Sequence, residues 1–263
     1  MSYREKLQSI KNSIFRLSQV QNQLLNISSN TNLATFDDSL DFLLQEGGSL
    51  IQRPIDYIKD VVRLLIILDI SGSMIGTEED IYFGLKELIA HHKSENILFN
   101  FVVFNRERTV LFDDVHIGNV KIPEIMVGGG TNLNGTLYQT INEKCKEGVN
   151  LVVTLSDGAD NTNVVSASSV KALMQKLNTS DNNFYFLGEP NEEQTPEEVY
   201  ASARQLGFSE ENISVFTRKG NGNRLNFKVI SKMLDELLEY GSISKTWSEP
   251  IKEHYLALTD KRG

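Results

Sequence analysis

The side chains best equipped for chemistry in this 263-residue chain are oxygen donors gathered at three places. Asp69-Ile70-Ser71-Gly72-Ser73 closes an apolar run, and its Asp, Ser and Ser alternate along a turn that aims three oxygen side chains into one small volume. Gly72 allows the sharp backbone course there. Leu155-Ser156-Asp157-Gly158 closes a second apolar run and delivers a second carboxylate. Between them lies Gly128-Gly129-Gly130-Thr131-Asn132, a glycine-rich loop that can bring the Thr131 hydroxyl close without side-chain obstruction. Two carboxylates and three hydroxyls make an oxygen-only set suited to a hard divalent cation. Mg²⁺ is favoured because it accepts few protein ligands, wants near-octahedral geometry and keeps waters, with Mn²⁺ or Ca²⁺ as substitutes.

Positioning these residues requires an ordered sheet. From about residue 61, apolar runs of strand length alternate with longer amphipathic stretches, the signature of a parallel α/β sheet. Strands are expected at about 61–68, 97–104, 108–113, 149–155, 182–188 and 212–217, and helices at 78–92, 133–146, 166–177, 196–206 and 225–240. Strands 97–104 and 108–113 are too close for a crossover helix, so they form a hairpin around Asn105-Arg106-Glu107, with the second as an antiparallel edge strand. Ligands of open α/β sheets bind outside the carboxyl ends of the strands near the switch point, where both aspartates fall.

In that setting Asp69-x-Ser71-x-Ser73, Thr131 and Asp157 resemble the metal-ion-dependent adhesion site of von Willebrand factor type A domains. The likeness covers about residues 60–240. Asp-x-Ser-x-Ser alone is a weak signal; after a hydrophobic strand, with Gly-Gly-Thr about sixty residues on and Ser-Asp-Gly about twenty-five later, it is a specific one. The resemblance implies a doubly wound, mostly parallel sheet with helices on both faces. It implies hydroxyl ligation by Ser71, Ser73 and Thr131, with Asp69 and Asp157 coordinating directly or through water. In many members a Glu or Asp of a partner fills the remaining position, so the resemblance implies a non-enzymatic, Mg²⁺-dependent protein–protein interaction module. An intracellular scaffold or assembly role is expected. Neutral hydroxyls supply most of the set, so the cation keeps positive charge with which to attract an incoming carboxylate.

Two other readings stand beside this one. Ser71, Ser73 and Thr131 could cap the helices that come after them, although capping gives no reason for two strand-terminal aspartates to accompany them. The enzymatic alternative is a Mg²⁺-dependent phosphohydrolase of haloacid-dehalogenase-like type, which also places an Asp after the first strand. Its second acidic residue would fall at Ser71, and no Lys stands in a motif context to hold a phosphoryl group. A Gly-x-x-x-x-Gly-Lys-Ser/Thr loop is absent.

Lesser features read as structural. Asp160-Asn161 suits a polar turn, and Glu78, Glu79 and Asp80 suit the first turn of a helix, where the dipole favours negative charge. His91-His92 follows a helix end, far in sequence from any acidic or Cys cluster, and reads as a solvated terminal turn. Cys145, flanked by Lys144 and Lys146, has no His or Asp placed to make it a nucleophile. Trp247 and the tail 241–263 carry no motif.

Composition narrows the partners. With 26 Lys+Arg against 35 Asp+Glu the net charge is −9, the wrong sign for displacing phosphate counterions, so nucleic acid is not expected. The longest apolar run, Leu64 to Leu68, stops at Asp69, far short of a membrane span. The charged start, Met1 to Lys6, lacks the apolar core of a secretory signal, and a single cysteine permits no intramolecular disulfide; both point to the cytoplasm. Residues 1–59 read as a helical extension, 60–240 as the type A-like domain and 241–263 as a tail. Within 1–30, Leu7, Ile10, Ile14, Leu17 and Leu24 form a heptad-like stripe. Packing on its own domain, or a short coiled coil with a partner helix or a second copy, both fit it.

Overall fold

The computed structural model describes residues 61–145, 148–157, 160–162, 164–177, 181–190 and 194–259. The extension expected over 1–59, with its heptad-like stripe, lies outside the described residues. Six strands form one sheet: β1 (Val62–Asp69), β2 (Ile97–Phe104), β3 (Arg108–His116), β4 (Val149–Ser156), β5 (Asn182–Gly188) and β6 (Ile213–Val215). Their order is β3-β2-β1-β4-β5-β6. All neighbours run parallel except β2 and β3, so β3 is the antiparallel edge strand. The chain starts at the centre, builds outward through β2 and β3, and returns to the other side of β1 at β4. The switch point therefore lies between β1 and β4.

Helices α1 (Glu78–His92), α2 (Leu133–Lys144), α3 (Ala167–Leu177), α4 (Pro196–Leu206), α5 (Gly222–Tyr240) and α6 (Glu249–Thr259) cover both faces. Strand alternation sorts the core. Leu64, Ile66 and Leu68 pack with Ile81, Leu85 and Leu88 of α1 and with Phe227, Ile230 and Leu234 of α5. Leu65 and Ile67 face the other way, onto Leu133, Leu137 and Ile141 of α2, Val170 of α3 and Val199 of α4. A strand buried on both faces is apolar along most of its length, which is why β1, β2 and β4 read as predominantly apolar runs.

Local chemistry sets the helix ends. Glu78, Glu79 and Asp80 occupy the first turn of α1, as the dipole favours. In α4, Thr195 and Glu198 form a reciprocal capping box, Pro196 opens the helix and Gly207 closes it at φ 106°. α5 begins at Gly222, three residues before the first apolar position of its stripe. A Cβ at Gly222 would lie 1.6 Å from the Thr217 carbonyl oxygen, so backbone proximity rather than hydrophobic pattern fixes that end.

The edge strand β3 continues past the expected residue 113 to His116. A register shift between Phe99 and Phe101 makes this possible. Asp114 takes φ 48° there, held by reciprocal bonds in which Asn100 Nδ2 donates to Asp114 Oδ1 (2.9 Å) and Asp114 N donates to Asn100 Oδ1 (3.1 Å). The C-terminal residues that carried no motif contribute to the core. Trp247 is buried, stacks edge-on against Tyr185 with ring centroids 5.0 Å apart, and donates from Nε1 to the Glu211 carbonyl (2.9 Å). Ile251 of α6 packs in the same core. None of the described helices is long and apolar enough to cross a membrane.

The seam between α1 and α5 is tightly fitted. A Cβ at Gly84 would come within 2.4 Å of Cδ2 of Phe227, a fully buried ring with no room to yield. On an exposed helix face, Gly→Ala stabilises by about 1 kcal/mol. Here Gly84→Ala is expected instead to destabilise by about 1–3 kcal/mol through overpacking, measured by urea denaturation. Adding Phe227→Leu to Gly84→Ala should recover part of the loss.

Candidate functional site

Parallel pairing of β1 with β4 runs from Val62↔Val149 to Leu68↔Leu155, so Asp69 comes level with Ser156 at the carboxyl edge and Asp157 follows one residue on. Both aspartates are buried. The Asp69 carboxylate spans two elements: Oδ1 accepts from the Ser71 backbone N–H (2.8 Å), and Oδ2 accepts from Ser156 Oγ (2.7 Å). Ser73 Oγ donates to Asp157 Oδ2 (2.7 Å) and lies 3.0 Å from Ser71 Oγ. One continuous set of hydrogen bonds thus joins Asp69, Ser71, Ser73 and Asp157. Ser71 sits at the cap position of the short turn Gly72–Met74, yet its side chain makes no capping bond. The hydroxyls of Ser71 and Ser73 engage each other and Asp157 instead.

Thr131 is buried at the end of the glycine loop, and it is that loop's backbone that is tied to the turn after β1. Gly72 N donates to Gly129 O (3.0 Å), and Gly128 N donates to Ile70 O (2.8 Å). Gly128 and Gly129 have φ 155° and 92°, conformations that only glycine adopts without strain. The β2–β3 hairpin holds the loop from outside: Asn105 Nδ2 donates to Gly128 O (2.9 Å), and Asn105 O accepts from Asn132 N (2.7 Å). Asn132, the cap residue of α2, makes no side-chain capping bond. Asp160 does that work, accepting from Asn134 N (2.8 Å) and from Thr162 N (2.8 Å), a turn role that leaves it beside the site.

The electrostatics are those of a site with more negative than positive charge. Burial pushes Asp69 up to about 6, against the hydrogen bonds from Ser71 and Ser156, and the charge of Asp157 pushes the same way. The donor set, all oxygen and with buried carboxylates, fits a hard dication. Three supporting residues carry no signal of their own in the sequence. Ser156 is marked only by its place before Asp157. Glu189 and Arg218, from the ends of β5 and the segment after β6, form an ion pair (Arg218 Nε to Glu189 Oε1, 2.9 Å), and Arg218 Nη1 donates to the Ser73 carbonyl. They lie 29 residues apart, and only the fold brings them to the turn.

Cys145 is a buried thiol whose pKa burial pushes up to about 12; burial outweighs any influence of the flanking lysines. The thiol stays protonated near neutral pH, where only the thiolate is reactive. Ellman's reagent is therefore expected to leave Cys145 unmodified in the native protein and to titrate one thiol after denaturation.

The fold, with its switch point between β1 and β4 and an antiparallel edge strand, is that of a von Willebrand factor type A-like domain. No protein-family model matches the sequence, and no curated protein matches it. Among solved structures, the chain is similar to the vWF domain of the type V pili tip protein Mfa5 from Porphyromonas gingivalis. That match has 11% identity and a TM-score of 0.52, covering 71% of this chain and 99% of that one. It is also similar to the pilus adhesin SpaC from Lactobacillus rhamnosus GG, at 12% identity and a TM-score of 0.53, covering 66% of this chain. The chain spans only 30% of that adhesin's length.

The Glu189–Arg218 pair generates a stability prediction. Glu189 is 4% exposed, and Arg218 supplies both a backbone N–H (2.8 Å) and its side chain. Arg218→Met leaves a buried carboxylate without its counter-charge and is expected to cost about 2–3 kcal/mol, discounted because Arg218 is partly solvated. The double variant Arg218→Met/Glu189→Gln should regain most of it in thermal or urea melts.

Proposed function

We propose that this chain is a non-enzymatic, metal-dependent protein–protein interaction module. Its carrying observation is the linked oxygen set at the switch point, in which two strand-terminal carboxylates and the hydroxyls of the intervening turn share one hydrogen-bond network. In this reading Asp69, Ser71, Ser73, Thr131 and Asp157 hold Mg²⁺, with Mn²⁺ or Ca²⁺ as substitutes. When bound, the ion supplies a positive charge only partly neutralised by its protein ligands, toward which a partner's Asp or Glu is drawn. The hydroxyls leave that charge available; the buried aspartates keep the site dry enough for it to count. Arg218, paired to Glu189 and bonded to the Ser73 carbonyl, holds the turn in place.

An adhesin and a pilus tip protein among the structural neighbours accord with an interaction role. The role proposed is that of a scaffold or assembly factor in the cytoplasm, which the single buried thiol supports. The excess of acidic residues gives the cation a further purpose, since an acidic chain can hold an acidic partner only if something offsets their repulsion.

Calorimetry with Mn²⁺ tests the metal, and affinity capture in Mg²⁺ against EDTA tests the partner. Wild type is expected to bind Mn²⁺. Asp69→Ala should lose that binding, and the Mg²⁺-dependent capture with it, while keeping its circular dichroism. Unchanged Mn²⁺ binding in Asp69→Ala would remove this site from consideration.

A further inference from the structure

His91 and His92 end α1 far in sequence from any acidic cluster, but α5 delivers one. Asp235, on the turn of α5 facing that end, lies 3.1 and 3.2 Å through its two carboxylate oxygens from His91 Nε2, and 3.9 Å through Oδ1 from His92 Nδ1. The two imidazoles meet edge to face with centroids 4.6 Å apart. His91 is half exposed, whereas His92 is fully buried, so only the first belongs to a solvated turn.

Ser231 holds the His92 ring through Nε2. Nε2 lies 3.2 Å from the Ser231 carbonyl oxygen and 2.9 Å from Ser231 Oγ. A carbonyl only accepts, so in the tautomer that bonds it Nε2 carries the proton and Nδ1 the lone pair. Nδ1 is completely buried and has no hydrogen-bond partner. It points at Asp235 Oδ1. Two acceptors therefore face each other across a gap too wide for a direct bond, an arrangement that costs energy unless a proton or a cation lies between them. Burial, aided by His91, pushes the His92 pKa below its ordinary value against the pull of Asp235, so the ring is held neutral.

We propose that His91 Nε2, His92 Nδ1 and the Asp235 carboxylate form a second metal site, for a borderline transition-metal dication of the Zn²⁺ class, bridging α1 and α5. Two imidazoles and one carboxylate select such an ion over Mg²⁺. The Ser231 carbonyl fixes ring orientation and leaves the lone pair on the ligating nitrogen, as metal-bound histidines require. A tetrahedral ion with ligand distances of about 2.0 Å separates its ligand atoms by about 3.3 Å. His91 and Asp235 are already at 3.1 Å, and all three ligand atoms lie within 4.8 Å of one another. Closing the remaining gap falls to His91 and Asp235, both about half exposed and free to adjust around the fixed His92. Water completes the shell. This site is independent of the oxygen site at the strand ends, and neither reading needs the other.

The test is a Zn²⁺ competition titration with a chromophoric chelator, using the full chain without an affinity tag and in excess Mg²⁺. His91→Ala and Asp235→Asn serve as variants because both side chains are half exposed; Asp69→Ala is the control. One Zn²⁺ per wild-type chain is expected, and a shift of the His92 Nδ1 resonance in the ¹⁵N-labelled protein should accompany it. Losing an outer-shell partner alone weakens metal binding by about 10- to 100-fold, so each direct-ligand variant should bind at least about tenfold more weakly, with Asp69→Ala unchanged. The proposal is overturned if wild type binds no Zn²⁺ or if both direct-ligand variants bind like wild type. Loss of Zn²⁺ in Asp69→Ala alone also overturns it.

Discussion

The parallel register between β1 and β4 is the constraint on which the candidate site rests. Side chains alternate faces along a strand, so a slip of one residue would reverse the two cores and carry Ser156 away from the Asp69 carboxylate it bonds. That slip is prevented by burial on both sides: Leu64, Ile66 and Leu68 fill one core while Leu65 and Ile67 fill the other. At the end of this register, Leu68 pairs with Leu155, and the next residues are the polar ones, Asp69 on one strand and Ser156 then Asp157 on the other. The hydrophobic core thus fixes where the carboxylates stand.

Standing there, the carboxylates must be desolvated. Asp69 and Asp157 are held out of water beside each other, and the protein offsets this with donors rather than with a side-chain cation at Asp69 itself: a backbone N–H, the Ser156 hydroxyl and the Ser71–Ser73 pair. Hydrogen bonds to a carboxylate stabilise its charged form, yet here burial still outweighs them. Arg218, bonded to the Ser73 carbonyl of the turn, is committed to Glu189, another buried carboxylate.

Much of the architecture was legible in the sequence because double burial leaves a plain trace. β1, β2 and β4 are predominantly apolar runs, and α1 carries the acidic first turn of Glu78, Glu79 and Asp80. The glycine loop was legible too, since φ of 92° at Gly129 admits little else. Other features were not, and the reason is distance along the chain. Asn105 steadies the glycine loop from a hairpin that looked like a mere connection; Glu189 and Arg218 meet 29 residues apart, His91 and Asp235 144 apart. Trp247 shows a different limit. Its indole is buried against Tyr185, but a single aromatic in a polar stretch has no period from which burial could be read.

The two candidate cation sites differ in a way that the fold explains. At the strand ends, the candidate ligands come from the last residue of β1 and from loops, whose short Ser, Thr and Asp side chains and bare glycines favour hard oxygen donors and close backbone approach. At the α1–α5 seam, ligands come from two helices that must interlock, Gly84 admitting Phe227 so that the axes draw near. Near the end of α1 this closeness sets a buried imidazole facing a carboxylate from the partner helix, with the Arg224–Glu87 ion pair on the same seam. Close packing there is apolar in its driving force and polar in its by-product: once the helices are fixed by their core residues, His92 has no freedom to turn its lone pair away. A cation at that point would add a tie to a seam already set by packing, and its affinity would report how faithfully α1 and α5 hold their spacing.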